Sequence, residues 1–414
     1  MFGRHRLRVL CLSALLMVAV MFASTAAYTG ETGALDVPAL DDQEIRRVIS
    51  LVAHRQIKTL HDGDYASQVT LEKAITASAP RGISWQYPWG VALYGMLRAA
   101  DVLGDRAVET FVLEHNRIAA RYYVYLDGLR VEYGDSQQLR DFYARTCLDQ
   151  LMRLGALDYC GAMGAQMLEG ILRHRAEATV EQRKLMAVIA DYIANVQTRV
   201  PDGTLARSMS SGGTIWIDDL YMSCPFLVRW YEYTGARSFL DDAAGQVLRM
   251  ADRLQDRDGL FYHGYYERTK KHSPYKWGRG NGWAMVATVE VLSAMPADHR
   301  DRDKLLTILR RQIEGLLPHQ TPSGMWRQVL DEPALWEETS CTAMFAYSIA
   351  RAVNRGWIDG SYMTVARRAF AGIRRQVTAN GEVNGTCQGT GIGPDLQYYL
   401  DRKRPKDDMH GRGP

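Results

Sequence analysis

The sequence lacks the closely spaced cysteine pairs that are typical of zinc sites. It contains six cysteines, and no two of them form a Cys-x-x-Cys motif. Cys11 lies in an N-terminal apolar run, which leaves an odd number of scattered cysteines, so at least one thiol stays free unless it pairs between chains. We predict that the scattered cysteines are buried apolar residues. They are Cys147, Cys160, Cys224, Cys341 and Cys387.

A run long enough to span a membrane comfortably is also missing. The N-terminal apolar run extends from about Val9 to Phe22, after three arginines and before a series of small residues. This order is typical of a secretory signal, which we predict over residues 1–27, with cleavage between about residues 25 and 27. The mature protein is then secreted or periplasmic. A signal that is retained as an anchor is the alternative.

An excess of positive charge is missing from the predicted mature chain. The whole sequence has 50 lysines and arginines against 47 acidic residues. Three of the arginines (Arg4, Arg6 and Arg8) belong to the predicted signal, which contains no acid, so residues 28–414 balance to neutral. Neither nucleic acid nor an anionic membrane is therefore an expected partner.

Strand-like alternation and Pro/Ser-rich linkers are scarce, whereas apolar residues recur at helical spacing after about residue 40. Some helices carry their charges on one side, as in "EQRKLMAVIADYIANV". Others are apolar nearly all round, as in "TAMFAYSIA", which predicts burial on most sides. Because the two kinds roughly alternate, we predict one all-α domain over residues 28–414, in which about eleven or twelve helices form a ring of six hairpins.

Unusual residues begin the helices that we predict to be the inner ones. Five stretches rich in Trp, Asp or Gly each precede or open an apolar helix. In a ring of hairpins the loops that enter the inner helices meet at one mouth, so these stretches predict a ligand cleft. A single Trp can equally belong to the core, but the shared position of all five favours the cleft. They are residues 85–89, 158–161, 216–219, 277–283 and 336–342.

The most unusual stretch is "KWGRGNGWA", residues 276–284. Indole rings stack on sugar faces and polar side chains bind ring hydroxyls, so Trp277, Trp283 and Asn281 suit a sugar. A buried guanidinium such as Arg279 also binds carboxylates, which indicates a uronate. We expect the glycines to hold the backbone close to the ligand. A phosphate cradle is the alternative, but the preceding strand and the P-loop lysine are missing.

The stretch "IWIDDLYMSCPF" supplies a candidate acid. Successive side chains at a helix start diverge by about 100°, so we expect one of Asp218 and Asp219 to face the cleft and the other to cap the helix or face solvent. Apolar neighbours raise the pKa of a carboxyl group, which suits a general acid, whereas Arg279 nearby would lower it. Asp158 is a second candidate acid or a helix cap, and His263 is a candidate ligand contact or a structural residue.

Together these stretches resemble the unsaturated rhamnogalacturonyl hydrolases of glycoside hydrolase family 105, which are relatives of the family 88 unsaturated glucuronyl hydrolases. The matching pieces occur in the family's order and cover most of residues 28–414. They are "WQYPWGVALYGML", "LDYCGAMG", "WIDDLYMSCPFL", "YHGY", "WGRGNGWA", "ETSCTAMFAYSIARAVNRGWID", "GTCQGTG" and "DDMHGRGP".

The resemblance implies an (α/α)6 barrel that works without a metal or an organic cofactor. It also implies an unusual reaction on the 4-deoxy-4,5-unsaturated uronate that polysaccharide lyases leave at a nonreducing end. An aspartic acid protonates C4, water adds at C5, and the resulting hemiketal collapses to release the neighbouring sugar. The carboxylate spacing of ordinary glycosidases need not apply to such a hydration. By motif position the catalytic acid is Asp218, with Asp158 as the second acidic residue.

The residue types and the resemblance together predict a set of substrate contacts, and the expected partner is an oligosaccharide with a terminal unsaturated uronate. Pectin's rhamnogalacturonan is the expected source, and ulvan or glycosaminoglycan fragments are alternatives. An ordinary six-hairpin glycosidase and a non-catalytic sugar-binding barrel are the competing hypotheses, and the oligomeric state stays open. The predicted contacts are His263, Arg279, Trp283, Trp216, Trp277 and Asn281.

Overall fold

Helices alternate between two kinds along the chain, as the apolar pattern predicts. The computed structural model describes residues 41–60, 84–134, 136–137, 140–141, 149–174, 177–207 and 212–414. Within these ranges eleven helices have eleven or more residues. In chain order the helices are α1 (Asp42–Leu60), α2 (Tyr87–Leu103), α3 (Arg106–Tyr133), α4 (Asp149–Met152), α5 (Gly161–Arg173), α6 (Val180–Asp191), α7 (Cys224–Thr234), α8 (Arg237–Leu254), α9 (Gly278–Ala294), α10 (Arg302–Leu316), α11 (Thr339–Asn354), α12 (Met363–Arg374), α13 (Leu396–Leu400) and α14 (Met409–Arg412).

The inner helices are those whose surface is apolar nearly all round. In α9 every residue from Gly278 to Leu292 is buried, and in α5 every residue from Gly161 to Gly170 is buried. The outer helix α10 instead buries one stripe, in which Leu305, Ile308 and Leu309 recur at helical spacing. The difference in composition therefore places each helix in its layer.

The inner helices form a closed ring. Helices α2, α5, α7, α9 and α11 pack each against the next, and the short α14 contacts both α11 and α2. Outside them α1 lies between α3 and α12: it packs against α3, and Glu44 of α1 pairs with Arg374 of α12 at 3.3 Å. The predicted all-α (α/α)6 barrel is confirmed.

Short antiparallel strands connect the helices at the mouth of the barrel. The strands β1 (Thr214–Trp216), β2 (Gly264–Tyr266) and β3 (Lys271–His272) form one sheet in that order. A second pair joins β4 (Trp326–Arg327) to β5 (Glu337–Glu338). The first sheet has the register Trp216 to Gly264, and this register positions the candidate site.

The described residues, from residue 41 onward, cluster as one compact unit. The predicted signal over residues 1–27 lies outside the described residues and stays a prediction, as does the domain boundary at residue 28. Among the described helices none is long and apolar enough to cross a membrane. The predicted burial of the scattered cysteines is confirmed for Cys160, Cys224, Cys341 and Cys387, which are buried free thiols, whereas Cys147 is not described.

Candidate active site

The predicted cleft residues gather where the inner helices begin. Each of the five unusual stretches precedes or opens one of the inner helices α2, α5, α7, α9 and α11. The partial positive charges of five helix N-termini therefore point towards one mouth of the barrel, where they favour an anionic ligand.

Asp218 and His263 form the centre of this site. The pairing of Trp216 with Gly264 brings the residues after β1 beside those before β2, and Ile217 N–H donates to the His263 carbonyl at 3.1 Å. As a result His263 Nε2 lies 3.2 Å from Asp218 Oδ2. The two atoms are close, although their geometry falls outside that of a well-aligned hydrogen bond.

The surroundings of Asp218 act on its pKa in opposite directions. Burial raises the pKa of this carboxyl, but His263 and Arg207 together outweigh it, so the pKa lies below its usual value. The Nδ1 atom of His263 lies 3.1 Å from the Tyr399 hydroxyl, which in turn accepts a hydrogen bond from Gly393 N–H. Asp218 is therefore ionised at neutral pH in the free site.

Arg207 joins the two other acids of the site. Its guanidinium donates to Asp219 Oδ1 at 2.6 Å and lies 2.9 Å from Asp158 Oδ2. The expectation that Asp219 caps a helix or faces solvent is wrong, because its side chain is buried against Arg207. Arg207 also stacks on Trp216, with its Cζ 4.2 Å from the ring centroid.

Asp158 and Asp219 compete for one positive charge. Burial raises the pKa of Asp219 to about 6, with Arg207 opposing the shift. Burial also raises the pKa of Asp158, against Arg207 and with the help of the nearby Asp218. The site therefore contains one carboxylate stabilised as an anion and two carboxyl groups that hold protons more tightly than usual.

Arg279 lies at the base of the site and is fully buried. It donates to the carbonyls of Cys387 and Gln388 at 2.7 and 2.8 Å, and it lies 3.5 Å from Glu338. These hydrogen bonds therefore fix the position of the backbone after residue 385. Its Nε–H is buried without a hydrogen-bond partner among the described residues.

The glycines around Arg279 do not act as we predicted. They form the first turns of α9, where a Cβ at Gly280 would lie 2.9 Å from Ile217 Cγ2, and a Cβ at Gly282 would lie 2.4 Å from Met344 Sδ. The expectation that they keep backbone close to a ligand is wrong, since they make room for neighbouring side chains. The missing Cβ at Gly280 lets Ile217, directly before Asp218, approach α9.

Two predicted substrate contacts interact with other residues of the protein instead. Both N–H donors of Asn281 bind backbone carbonyls, those of Phe261 and Trp277. The ring of Trp277 is 2% exposed, with the His263 ring centroid at 4.6 Å and the Arg279 guanidinium at 4.7 Å. We therefore assign positioning roles to Asn281 and Trp277, in place of the expected sugar contacts.

The remaining aromatic residues border the site. Trp216 is half-buried, and its ring meets His263 edge-on at 5.7 Å. Trp283 packs against Tyr221 at 4.6 Å and against the edge of Tyr87 at 6.3 Å. These rings leave Trp216 as the more accessible of the predicted stacking surfaces.

Sequence reasoning did not identify four residues of the site. Arg207 lies in "LARSMSSGG", which has no recognisable pattern, and it reaches the site because its backbone pairs with Thr214. Tyr399 and His410 lie in the C-terminal segment, where only the family pattern "DDMHGRGP" gave a signal. Glu338 precedes α11 and accepts from Cys341 N–H at 2.7 Å, and an acid directly before an apolar helix was the available signal for it.

A cavity of about 430 Å³ lies at the opposite end of the inner helices. Its buried Arg229 donates to Glu169 at 2.7 Å and to Glu290 at 2.6 Å. Arginines near helix C-termini also complement the negative end of the helix dipole. Arg229 is therefore neutralised by its acidic neighbours, and we assign this cavity to the packing of the barrel.

Comparison with known proteins identifies the family. A model of glycosyl hydrolase family 88 matches residues 65–414. The chain belongs to this family. Over 336 residues it is 23% identical to an unsaturated rhamnogalacturonyl hydrolase of Bacillus subtilis, a match that covers 80% of this chain and 87% of that protein. A protein of unnamed activity from Agrobacterium fabrum is 31% identical over 223 residues, which cover 47% of this chain and 94% of that protein.

Solved structures of the family have the same fold. A possible member of family GH105 from Klebsiella pneumoniae superposes with a TM-score of 0.69 at 23% identity and covers 91% of both chains. The unsaturated glucuronyl hydrolase of Bacillus sp. GL1 superposes with a TM-score of 0.58 at 16% identity, over 89% of this chain and 93% of that one. The predicted kinship with families 88 and 105 is confirmed, and so is the prediction that the family 88 chain is a glycosidase.

Proposed function

We propose that this family 88 enzyme removes a 4-deoxy-4,5-unsaturated uronate from the nonreducing end of an oligosaccharide. Asp218 transfers a proton to C4, and water adds at C5. The hemiketal that forms then opens, the bond to the neighbouring sugar breaks, and a keto acid is released. The observation that carries this proposal is the buried Asp218, which lies beside His263 and is accompanied by Asp158 and Asp219, the two acids that share Arg207.

The charge state of Asp218 fits an acid that becomes protonated when substrate binds. In the free site the carboxyl is ionised because His263 and Arg207 outweigh burial. A uronate carboxylate that enters the same buried space adds a like charge, and a like charge raises a neighbouring carboxyl pKa. Substrate binding thus favours uptake of the proton that Asp218 then delivers.

For recognition of the uronate we propose a buried guanidinium together with the helix N-termini at the mouth. The Nε–H of Arg279 has no partner among the described residues, and the inner helices present their N-terminal ends to the same space. His263 and Trp216 line the approach to Asp218. We propose Arg279, His263, Trp216 and Trp283 as the substrate contacts.

For the donor sugar we propose an unsaturated galacturonyl unit linked to rhamnose. The support is the match to the Bacillus subtilis unsaturated rhamnogalacturonyl hydrolase, which extends over most of both chains. Two unsaturated 3S-rhamnoglycuronyl hydrolases match about half of this chain or less, one from Alteromonas and one from Formosa agariphila. Unsaturated glucuronyl substrates are therefore the comparison that the assay must include.

The test follows the ultraviolet absorbance of the conjugated double bond in two disaccharides, unsaturated galacturonyl–rhamnose and unsaturated glucuronyl–rhamnose. We expect the absorbance to fall with the first and rhamnose to appear. Asp218→Asn is expected to lower kcat by at least about 10³-fold, whereas the same change at the exposed Asp252 of α8 leaves it unaltered. Turnover retained by Asp218→Asn would refute the assignment, and loss of absorbance with the second disaccharide alone would redirect the substrate.

We further propose that the chain is exported and that residues 1–27 are removed. The support is the arrangement of arginines, apolar run and small residues at the N-terminus. Sequencing the N-terminus of protein collected outside the cytoplasm tests this proposal directly. An intact Met1 on exported protein would instead favour a retained anchor.

A further inference from the structure

The C-terminal segment brings a linked Asp–His–Tyr arrangement to the site. His410 Nδ1 lies 2.5 Å from Asp408 Oδ1, and His410 Nε2 lies 2.8 Å from the Tyr87 hydroxyl. Asp408 and His410 flank the start of α14, whereas Tyr87 is the first residue of α2. The contact therefore spans two elements that are 323 residues apart in sequence.

The hydrogen bonds of this arrangement run in one direction. Burial raises the pKa of Asp408, but the hydrogen bond from His410 outweighs burial, so the pKa is lowered and the carboxyl is ionised. A carboxylate only accepts, so His410 Nδ1 carries the proton and donates it to Asp408. The other nitrogen, Nε2, is then left as the acceptor for the Tyr87 O–H.

Tyr87 lies near the candidate site, since Arg279, Asp158 and Asp218 all act on its hydroxyl electrostatically. Its ring edge packs on Trp283 at 6.3 Å. Burial raises the pKa of Tyr87, and Asp158, Asp218 and Asp408 raise it further while Arg279 opposes them. The hydroxyl is therefore protonated at neutral pH, and it gives up its proton only when it receives another.

On the basis of the proposed function, we propose that Tyr87 is a further catalytic residue that takes the proton of the attacking water. As the water oxygen bonds to C5, one of its protons passes to the Tyr87 oxygen, and the Tyr87 proton passes to His410 Nε2. The imidazolium that forms is neutralised by Asp408. Asp218 supplies the proton that C4 receives, so bonds and charges balance without any other reactant.

His410 and Asp408 act through Tyr87 and are positioning residues. A triad of this kind orients the imidazole and stabilises its charged form, as in hydrolases where a serine occupies the place of Tyr87. The alternative role is a strut that ties α14 to α2, which also pack through Gly413 and Val91. Loss of a purely structural contact would lower stability and substrate affinity, whereas loss of the relay would slow the chemical step.

The experiment compares Tyr87→Phe, His410→Gln and the double variant in the full chain with the disaccharide that the wild type turns over. We expect each single variant to lower kcat by about 10²-fold with KM altered less than about threefold, because Tyr87 acts on the water. The double variant is expected to be no slower than either single one, since residues of one relay act as a unit. Tyr362→Phe, remote from the mouth, serves as the control.

The outcomes separate this inference from the proposed function. If the wild type turns over the substrate, three results overturn the relay and leave the proposed function intact. These are an unchanged kcat in Tyr87→Phe, losses of kcat that multiply in the double variant, and single variants in which only KM rises. No wild-type turnover of either disaccharide overturns the function itself. Nitrogen NMR of the wild type adds a check on the hydrogen bonds: a proton on Nε2 of neutral His410 contradicts the relay directly.

Discussion

Loss of Arg207 is the perturbation that best tests the electrostatics of the site. The Arg207 guanidinium is the cation that contacts both Asp158 and Asp219. In Arg207→Gln the two carboxyl groups stay in place without a positive partner. Breaking a buried ion pair by removing one partner typically costs about 3–5 kcal/mol, and we expect the free energy of unfolding to fall by this amount at pH 7.

The pH dependence of this loss follows from the pKa of Asp219. In the wild type the pKa is about 6 because burial raises it and Arg207 opposes the rise. Without Arg207 the pKa rises further, so the variant keeps the proton above pH 6 while the unfolded chain, with a pKa near 3.8, has released it. Each pH unit in this window destabilises the variant by about 1.4 kcal/mol relative to the wild type.

The assay is urea unfolding of both proteins between pH 5 and pH 8, with the difference in unfolding free energy plotted against pH. We expect the difference to be smallest near pH 5 and to grow above pH 6. Arg207→Gln combined with Asp219→Asn is the matched control and should remove most of the added slope, because the titrating carboxyl is gone. A loss below about 1 kcal/mol that does not vary with pH would show that Arg207 does not hold these acids.

Three further predictions rest on other features. In pH profiles the alkaline limb of kcat should lie at higher pH than that of kcat/KM, because the bound uronate raises the pKa of Asp218 in the complex; coincident limbs would contradict proton uptake on binding. Burial lowers the pKa of His115 to about 4 from 6.5, so the wild type should lose up to about 3 kcal/mol between pH 6.5 and pH 4, a loss that urea unfolding should not find in His115→Phe. Gly161→Ala should fold poorly, since its Cβ would lie 1.6 Å from the Met222 carbonyl oxygen; a wild-type melting temperature would refute that packing.

The sequence could predict which helices are inner or outer and where the site lies, because both depend on residues that are neighbours in sequence. The apolar surface of "GWAMVATVEVL" is continuous, and α9 is buried on every side, whereas "RDKLLTILRRQIEGL" buries one stripe in α10. Asp218 and Asp219 could be found as candidate acids because apolar residues flank the pair near a helix start, whereas the choice of Asp218 came from the family resemblance. These signals depend on neighbours in sequence, so one sequence suffices to find them.

The partners of the acids could not be predicted, because they depend on contacts between distant segments. Arg207 meets Asp158 and Asp219 only after its backbone pairs with Thr214 of β1. The pairing of His410 with Tyr87 requires the ring to close at α14. The glycines of "GRGNG" were misinterpreted for the same reason, since Ile217 and Met344 approach them from other parts of the chain.

The charge balance of the site explains how acidic side chains can surround a binding place for an acidic sugar. Its carboxyl groups outnumber its two arginines, and each arginine is already engaged with an acid. Burial raises the pKa of Asp158 and Asp219, so both carboxyl groups keep their protons to a higher pH than usual and the negative charge of the site falls as the pH is lowered. Each inner helix adds roughly half a positive charge at its N-terminus. A uronate is thus favoured by backbone dipoles, and Asp218, which is ionised in the free site, becomes the group that responds to its arrival. The carboxyl groups are Asp158, Asp218, Asp219, Glu338 and Asp408.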